Sequence, residues 1–163
     1  IEADWSNDGL FVALVAQNPK FINTHNTSYE EVYILTQDGL ETQVTNFAEF
    51  YRSGVLIYNP SWSPDGSFVA FWIHNESYGD PYYRLAVFNL GTRTATVYCL
   101  SSNLSRGIHT KWYAAPIWSP DSNQILIESN HGDADSAVII LDITTNEAIK
   151  ISENSQPVGW MSP

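Results

Sequence analysis

The chain repeats one hydrophobic pattern three times: two nearly unbroken apolar runs are followed by one run in which polar and apolar residues are mixed. The apolar runs come in three pairs, at residues 10–15 and 32–35, 68–73 and 85–88, and 125–127 and 138–141. Runs of this length predict strands that are buried on both faces. After each pair, polar and apolar residues alternate, at 42–45, 94–98 and 148–151, as in a strand at a solvent-exposed sheet edge. No segment has a convincing amphipathic helical pattern, so we expect repeated sheets and an all-β fold.

A tryptophan precedes each pair of apolar runs, and a fourth one follows the last pair. These are Trp5, Trp62, Trp118 and Trp160, spaced at roughly 40–57 residues, which suits a four-stranded propeller blade of ~40–45 residues with extra loop residues in the first two copies. In the clearest copy, Trp62 is followed by Ser-Pro-Asp-Gly. Proline presets φ, aspartate binds nearby amides and glycine accepts positive φ, so this stretch predicts a tight turn between two strands. The recurring indole is expected to fill the wedge between neighbouring sheets.

Two copies of the turn depart from this pattern. Asn7 stands at the proline position of the first copy, and Ser122 at the glycine position of the third. With the register kept in all copies, the repeat resembles the WSPDG-type repeat of TolB-like β-propellers, and it is similar to the repeats of propeller domains in prolyl oligopeptidase and dipeptidyl peptidase enzymes. The resemblance covers essentially the whole chain. It implies three four-stranded antiparallel blades, at about 1–58, 59–114 and 115–156, and the first strand of a further blade at 157–163.

Three blades are too few for a closed ring, since propellers usually close with ~4–8 blades. Two arrangements would cover the open blade faces. The chain is a piece of a longer propeller, or two chains join their three blades into a six-bladed ring. The spare strand at 157–160 favours the first arrangement, because a second chain would bring its own Trp5 strand to the same place.

Composition narrows the classes of partner. The chain has 163 residues, of which 44% are hydrophobic, enough for a sizeable core. The formal net charge of −11 opposes binding to nucleic acid or to an anionic lipid surface. No apolar run approaches the ~20 residues of a membrane span. The chain has one cysteine, which rules out an internal disulfide. We therefore expect a protein or peptide partner and no nucleic acid or membrane insertion.

Long predicted loops on one face of the propeller are the best guide to a binding site. They span residues 16–29, 47–59, 74–83 and 101–115, whereas the turns on the opposite face are minimal. Long loops on a rigid scaffold often carry recognition, and Tyr, Trp and Arg are enriched at interface hot spots. The candidate binding residues are Tyr51, Arg52, Tyr58, Tyr82, Tyr83, Arg106, His109, Trp112 and Tyr113. The same residues would also serve to pack the loops against neighbouring blades.

Catalytic signatures are lacking in the sequence: there is no Gly-x-Ser-x-Gly elbow, no His-Glu-x-x-His pair and no glycine-rich phosphate loop. His74 and His131 follow equivalent second strands, with Asp80 and Asp133 nearby in sequence. Convergence of these four side chains around a pocket would point to an enzyme, such as a glycosidase with acids at the funnel. The spacing of the histidines matches no metal-ligand pattern, so we predict no metal and no cofactor.

The sequence therefore favours a non-catalytic, TolB-like propeller module that binds a protein or peptide through its loop-rich face. The alternative is the propeller domain of a hydrolase. In the prolyl oligopeptidase-like enzymes that the repeats resemble, the catalytic triad lies on a separate α/β domain. Acidic composition, with abundant Asn, Ser and Thr, favours a periplasmic or secreted location over a cytoplasmic one.

Overall fold

The structure is a computed structural model that describes residues 2–21, 27–51, 53–75, 83–98, 114–130 and 136–161. Twelve strands in these ranges form three separate four-stranded antiparallel sheets, which we call blades 1, 2 and 3. Blade 1 contains β1 (Ala3–Trp5), β2 (Phe11–Gln17), β3 (Glu30–Thr36) and β4 (Glu41–Gln43). Blade 2 contains β5 (Val55–Trp62), β6 (Phe68–Asn75), β7 (Tyr83–Asn89) and β8 (Thr94–Tyr98). Blade 3 contains β9 (Ile117–Trp118), β10 (Gln124–Asn130), β11 (Ser136–Asp142) and β12 (Glu147–Glu153).

Each sheet is a simple meander in which neighbouring strands are also neighbours along the chain. The predicted all-β fold and its partial propeller of three four-stranded blades are confirmed. Two single-turn 3₁₀ helices, Pro19–Phe21 and Phe47–Glu49, lie in the connections of blade 1 and between blades 1 and 2.

The turns after Trp5, Trp62 and Trp118 are each built around the serine that follows the tryptophan. In blade 2, the Ser63 hydroxyl donates to Asp65 at 2.6 Å and accepts from the Phe68 amide at 2.9 Å. Asp65 in turn accepts from the Ser67 amide at 3.0 Å. Gly66 has a φ of 73°, the left-handed conformation that the turn requires. Because Ser63 is fully buried, its hydroxyl fixes the turn from the inside.

The two departures from the repeat keep this geometry. Ser122 adopts a φ of 62° where the other copies have glycine, and its hydroxyl accepts from the Asp65 amide at 3.1 Å. Asn7 donates from its side-chain amide to the Pro64 carbonyl at 3.5 Å. Both replacements therefore make contacts between the turns of adjacent blades.

Two hydrophobic clusters fill the junctions between blades. Side chains alternate across each strand, so β6 sends Val69, Phe71 and Ile73 toward blade 1, and Ala70 and Trp72 toward blade 3. The cluster between blades 1 and 2 includes Trp62, which is 6% exposed, and the cluster between blades 2 and 3 includes Trp118, which is 7% exposed. This two-sided burial explains the unbroken apolar runs of the second and third strands.

The motif tryptophans make the same hydrogen bond in successive copies. Each indole N–H donates to the main-chain carbonyl of the residue just before the tryptophan of the preceding blade. Trp62 donates to Asp4 at 3.0 Å, and Trp118 to Ser61 at 3.0 Å. Trp160 donates to Ile117 at 3.1 Å, although residues 155–161 form no strand. This last segment therefore takes the position of a first strand without pairing as one.

The start of blade 2 differs from the prediction. Residues 55–59 were expected in a loop, but β5 already begins at Val55. A bulge between Tyr58 and Ser61, with Asn59 at a φ of 50°, lengthens this strand. Likewise, His74 and Tyr83 belong to β6 and β7 rather than to the predicted loop between them.

Candidate functional site

The first strands of the three blades lie side by side and line a cavity of about 480 Å³. Its lining residues are Glu2, Ala3 and Asp4 from blade 1, Asn59, Pro60 and Ser61 from blade 2, and Ala115 just before β9. The bulge in β5 lies in this wall. Bulges often occur beside functional sites, where they redirect side chains.

Carboxylates of blade 1 hold the backbone of β5 along this wall. Glu2 accepts a hydrogen bond from the Asn59 amide, and Asp4 accepts one from the Trp62 amide at 2.9 Å. Glu30 accepts from the Ile57 amide at 2.7 Å. Three acidic side chains therefore secure amides of the neighbouring blade, and they concentrate negative charge along the junction of blades 1 and 2.

A second cavity, of about 310 Å³, shares Glu2 with the first. It is lined by Glu2, Glu30, the end of β2 at residues 15–17 and the start of β5 at residues 56–58. The connections from β2 to β3 and from β4 to β5 both open here, so this cavity lies at the face predicted to carry the long loops.

Tyr58 lines this cavity and packs with two further aromatic side chains on the side of blade 2 that faces blade 3. The rings of His74 and Tyr83, which are paired across β6 and β7, stack at 4.7 Å with an interplanar angle of 21°. Tyr58, which lines the second cavity, lies 5.7 Å from Tyr83. Desolvation raises the pKa of the Tyr83 phenol above its ordinary value. We call Tyr58, His74 and Tyr83 the aromatic cluster.

The structure brings together two of the predicted binding residues, Tyr58 and Tyr83, but on strands rather than on loops. Tyr51 instead packs its ring edge-on against Phe47, 6.1 Å away, at the margin of the core between blades 1 and 2. The remaining candidates lie outside the described residues, namely Arg52, Tyr82, Arg106, His109, Trp112 and Tyr113. Binding by any of the nine residues stays a prediction.

The proposed convergence of His74, Asp80, His131 and Asp133 also stays a prediction, because the last three lie outside the described residues. Within the described ranges, no group of three or more His, Cys, Asp or Glu side chains is arranged to hold a metal ion. No helix in those ranges has the length and apolar character needed to cross a bilayer.

Sequence reasoning missed the acidic residues of this site. Glu2, Asp4 and Glu30 lie in or beside strands of blade 1. Their role is to accept hydrogen bonds from amides of β5 in blade 2, which is remote from them in sequence. The available signal was the pair of acidic residues Glu2 and Asp4. The later copies have Asn59 and Ala115 at the position of Glu2, and Ser61 and Ile117 at the position of Asp4.

The blades, their meander topology and the recurring indole contact define a β-propeller architecture. No protein-family model matches the chain, and no curated protein matches it significantly. Solved propellers do match. TolB from Acinetobacter baumannii aligns with a TM-score of 0.57 and 19% identity, over 90% of this chain and 31% of its own.

Two peptidase structures also align with the chain. The β-propeller domain of the Trilobed protease from Pyrococcus furiosus gives a TM-score of 0.63 and 20% identity, over 96% of this chain and 42% of its own. Dipeptidyl peptidase 4 from Porphyromonas gingivalis gives 0.68 and 15%, over 95% of this chain and 26% of its own. The predicted resemblance to TolB-like and peptidase propellers is confirmed at the level of the fold. The chain spans less than half the length of each of these three proteins.

Proposed function

We propose that this chain is a non-catalytic propeller module that binds a peptide segment of a partner protein at its loop-rich face, and that the bound segment carries a positively charged side chain. The observation that carries this proposal is the pair of cavities that share Glu2 as a lining residue, the second of which is also lined by Tyr58. Cavities of about 480 and 310 Å³ are large enough to admit peptide side chains.

Electrostatics favours a cationic ligand over an acidic one. The chain has eighteen acidic and seven basic residues, so its net charge of −11 favours a positively charged ligand. Glu2 and Glu30 place two of these negative charges in the wall of the second cavity, and Glu2 also lines the first. An ionised carboxylate accepts several hydrogen bonds, so Glu2 can hold the Asn59 amide and also accept from a Lys or Arg side chain.

Tyr58 adds a surface for the apolar part of the ligand. A tyrosine face attracts a cation within about 6 Å of the ring, and tyrosine is common at binding hot spots. The Tyr83 ring packs against Tyr58 with 5.7 Å between the ring centroids, which limits the entropy that Tyr58 loses when a ligand binds.

Selection from a displayed library of random decapeptides tests this proposal. We expect the selected peptides to be enriched in Lys and Arg, and their affinity to fall with rising salt. Glu2→Gln should weaken a selected peptide about tenfold, equivalent to ~1.4 kcal/mol, as measured by fluorescence anisotropy. Glu147→Gln, an exposed change on β12, is the matched control and should leave the affinity unchanged. Equal effects of the two variants, or selection of acidic peptides, would contradict the proposal.

A second candidate is the propeller domain of a hydrolase, in which the same face would lie against a catalytic domain. The observation in its favour is the fold similarity to peptidase propellers, including prolyl endopeptidases, which align with a TM-score of 0.62 at 17% identity. Under this candidate the acidic cavities would contact a substrate peptide on its way to a separate active site. Binding of the selected peptides without any cleavage is expected of the chain itself under both candidates.

A further inference from the structure

The outermost strands of the three blades differ in how well their edges are protected. An edge strand presents unpaired N–H and C=O groups to other chains, and proteins usually protect such an edge with a short strand, with charged side chains or with a bulge. β4 has three residues and begins with Glu41. β12 carries Glu147, Lys150 and Glu153, and its pairing with β11 contains a register shift. Both of these strands therefore have the usual protection.

β8, the outermost strand of blade 2, has no such protection. Its five residues are Thr-Ala-Thr-Val-Tyr, without a charge or a proline, and they pair with β7 without a register shift. Threonine, valine and tyrosine are also residue types that favour an extended strand. In the described ranges β8 pairs with β7 alone, so its outer edge presents main-chain groups without a strand partner. β8 is thus the edge most open to a further strand.

A third cavity, of about 270 Å³, lies along the face of β8 that faces blade 3. Thr94, Thr96 and Tyr98 line it from β8, since alternate residues of a strand share one face. Val87 of β7 and Ile143 of the turn between β11 and β12 line it as well. Val87 is part of the hydrophobic cluster between blades 2 and 3, and Ile143 packs against that cluster. A strand added beside β8 would point every second side chain toward this cavity.

Two hydroxyl groups at the third cavity can bind a ligand. The hydroxyls of Thr92 and Thr94 share a hydrogen bond at 2.7 Å, and the Thr144 hydroxyl donates to Asp142 at 2.6 Å. By contrast, the hydroxyls of Thr96 and Tyr98 make no hydrogen bond within the part of the chain that the structure describes. The cavity therefore combines an apolar floor with hydroxyls that can bind polar atoms of a peptide.

Charge near the third cavity favours a basic occupant. Asp142 has a pKa of about 2, so its carboxylate is ionised at neutral pH. Burial and, to a smaller extent, the charge of Asp142 raise the pKa of the Tyr98 phenol, which places that negative charge near the cavity. Arg93 lies in the turn before β8 but does not line the cavity. A second copy of the chain is a poor occupant, because each copy has a net charge of −11.

We propose that β8 is a strand-addition site, at which an extended segment of a partner protein that carries Lys or Arg pairs with the outer edge of β8 and places alternate side chains in the third cavity. Main-chain hydrogen bonds to β8 supply affinity, and the cavity selects small apolar side chains at every second position. The third cavity shares no lining residue with the two cavities that contain Glu2. The chain then has two separate surfaces for peptides.

Amide hydrogen exchange of the full chain, measured by NMR, tests this proposal with a defined probe. The probe is the peptide Lys-Val-Lys-Val-Lys-Val-Lys, acetylated and amidated at its ends, whose valines share one face of an extended strand. In the free chain alternate amides of β8 should exchange fast, because every second N–H of an edge strand points away from its neighbour. With the peptide at about 1 mM, the exchange of these amides should slow at least about tenfold, which corresponds to a Kd of roughly 0.1 mM. Amides of β12 should exchange at an unchanged rate.

A matched pair of variants adds the same charge to two different edges. Thr96→Lys gives β8 the kind of charge that protects β12, and it should weaken binding of the peptide at least about tenfold. Thr42→Lys changes the net charge equally but lies on β4, so the slowing at β8 should persist. Near-ultraviolet circular dichroism checks that each variant is folded. Glu2→Gln should also leave the slowing at β8 intact, which separates this site from the cavities that contain Glu2.

Several results would overturn the strand-addition site. One is an exchange rate of the β8 amides that is the same with and without the peptide, and another is equal slowing in all three blades. Protection of the outward amides of β8 in the free chain would mean that another segment or a second copy already occupies this edge. Equal protection by Glu-Val-Glu-Val-Glu-Val-Glu would remove the role of charge, and equal behaviour of the two threonine variants would place the peptide elsewhere.

Discussion

Glu31 shows at the scale of a single residue how a charge becomes part of the core. Its carboxylate is fully buried and accepts three hydrogen bonds, from the Thr45 hydroxyl at 2.6 Å and from the Phe47 and Ala48 amides at 2.9 and 2.8 Å. The two amides begin the 3₁₀ helix Phe47–Glu49, whose first N–H groups have no partner within the helix. Glu31 thus ties the connection between blades 1 and 2 to β3.

Replacing Glu31 by Gln should destabilise the chain by about 2–3 kcal/mol. The amide side chain keeps the shape, but it turns a donor toward groups that are themselves donors and loses the charge that strengthens these bonds. Urea unfolding followed by tryptophan fluorescence measures the difference. Glu49→Gln, in the same connection but exposed, is the control and should change stability by less than ~0.5 kcal/mol. Similar costs for the two variants would mean that the buried bonds are not responsible.

The burial of Glu31 could not be predicted from the sequence. From the local pattern, an acidic residue that precedes an apolar run is expected at the surface. The buried position of Glu31 is favourable only because Thr45 and the 3₁₀ helix that follows it, more than ten residues further along the chain, donate hydrogen bonds to the carboxylate. The role of the serine that follows Trp5, Trp62 and Trp118 was missed for a related reason. The predicted turn rested on proline, aspartate and glycine, whereas the buried hydroxyl of Ser63 is what joins both ends of that turn.

At the scale of secondary-structure elements, the hydrophobic core lies at the junctions between neighbouring blades. Trp62 fills the wedge between blades 1 and 2, lies 6.2 Å from the Phe11 ring and donates to the Asp4 carbonyl. The equivalent Trp5 is mostly exposed. The same residue type in the same motif therefore occupies two environments, which gives a matched pair of variants.

Trp62→Phe should lower the free energy of unfolding by about 1–3 kcal/mol, because it leaves a gap in the wedge and removes a donor from the Asp4 carbonyl. Trp5→Phe should change it by less than ~0.5 kcal/mol, because little of that indole is packed. Urea midpoints of the two variants make the comparison. A cost for Trp5→Phe equal to that for Trp62→Phe would show that the indole acts within its own blade and not across the junction.

At this scale the sequence predicted much of the fold. β8 was placed at the observed residues 94–98, and the core strands of all three blades were placed to within a few residues. The start of β5 was not predicted, because the alternation of side chains breaks at the bulge around Asn59. In addition, amides of β5 donate hydrogen bonds to Glu2 and Glu30, which belong to another blade. The acidic cavities depend on the same long-range contacts, so no local pattern could have located them.

For the whole molecule, the aspartates of the turns connect stability to pH. Hydrogen bonds from Ser6 and Ser119 hold the pKa values of Asp8 and Asp121 below the ordinary value of 3.8. The Thr144 hydroxyl, together with the Thr145 and Thr144 amides, lowers the pKa of Asp142 to about 2. Of these three aspartates, Asp8 lies in a turn of blade 1, and Asp121 and Asp142 lie in turns of blade 3, so acid acts on separate parts of the fold at once.

Acid should therefore unfold the chain over a defined range of pH. A carboxyl whose pKa is lower in the folded state than in the unfolded chain stabilises the fold when it is ionised. This contribution is fully present at pH values above the pKa of the unfolded chain, which is near 4, and it is lost as the pH falls through the pKa of the folded state. We expect the urea midpoint to fall between pH 4 and about 2. Asp142→Asn should already be less stable at pH 5 and should lose less between pH 4 and 2, because the variant has one such carboxyl fewer. A midpoint that stays constant down to pH 2, or an unchanged slope in Asp142→Asn, would show that these hydrogen bonds persist in the unfolded chain or do not favour the ionised carboxylate.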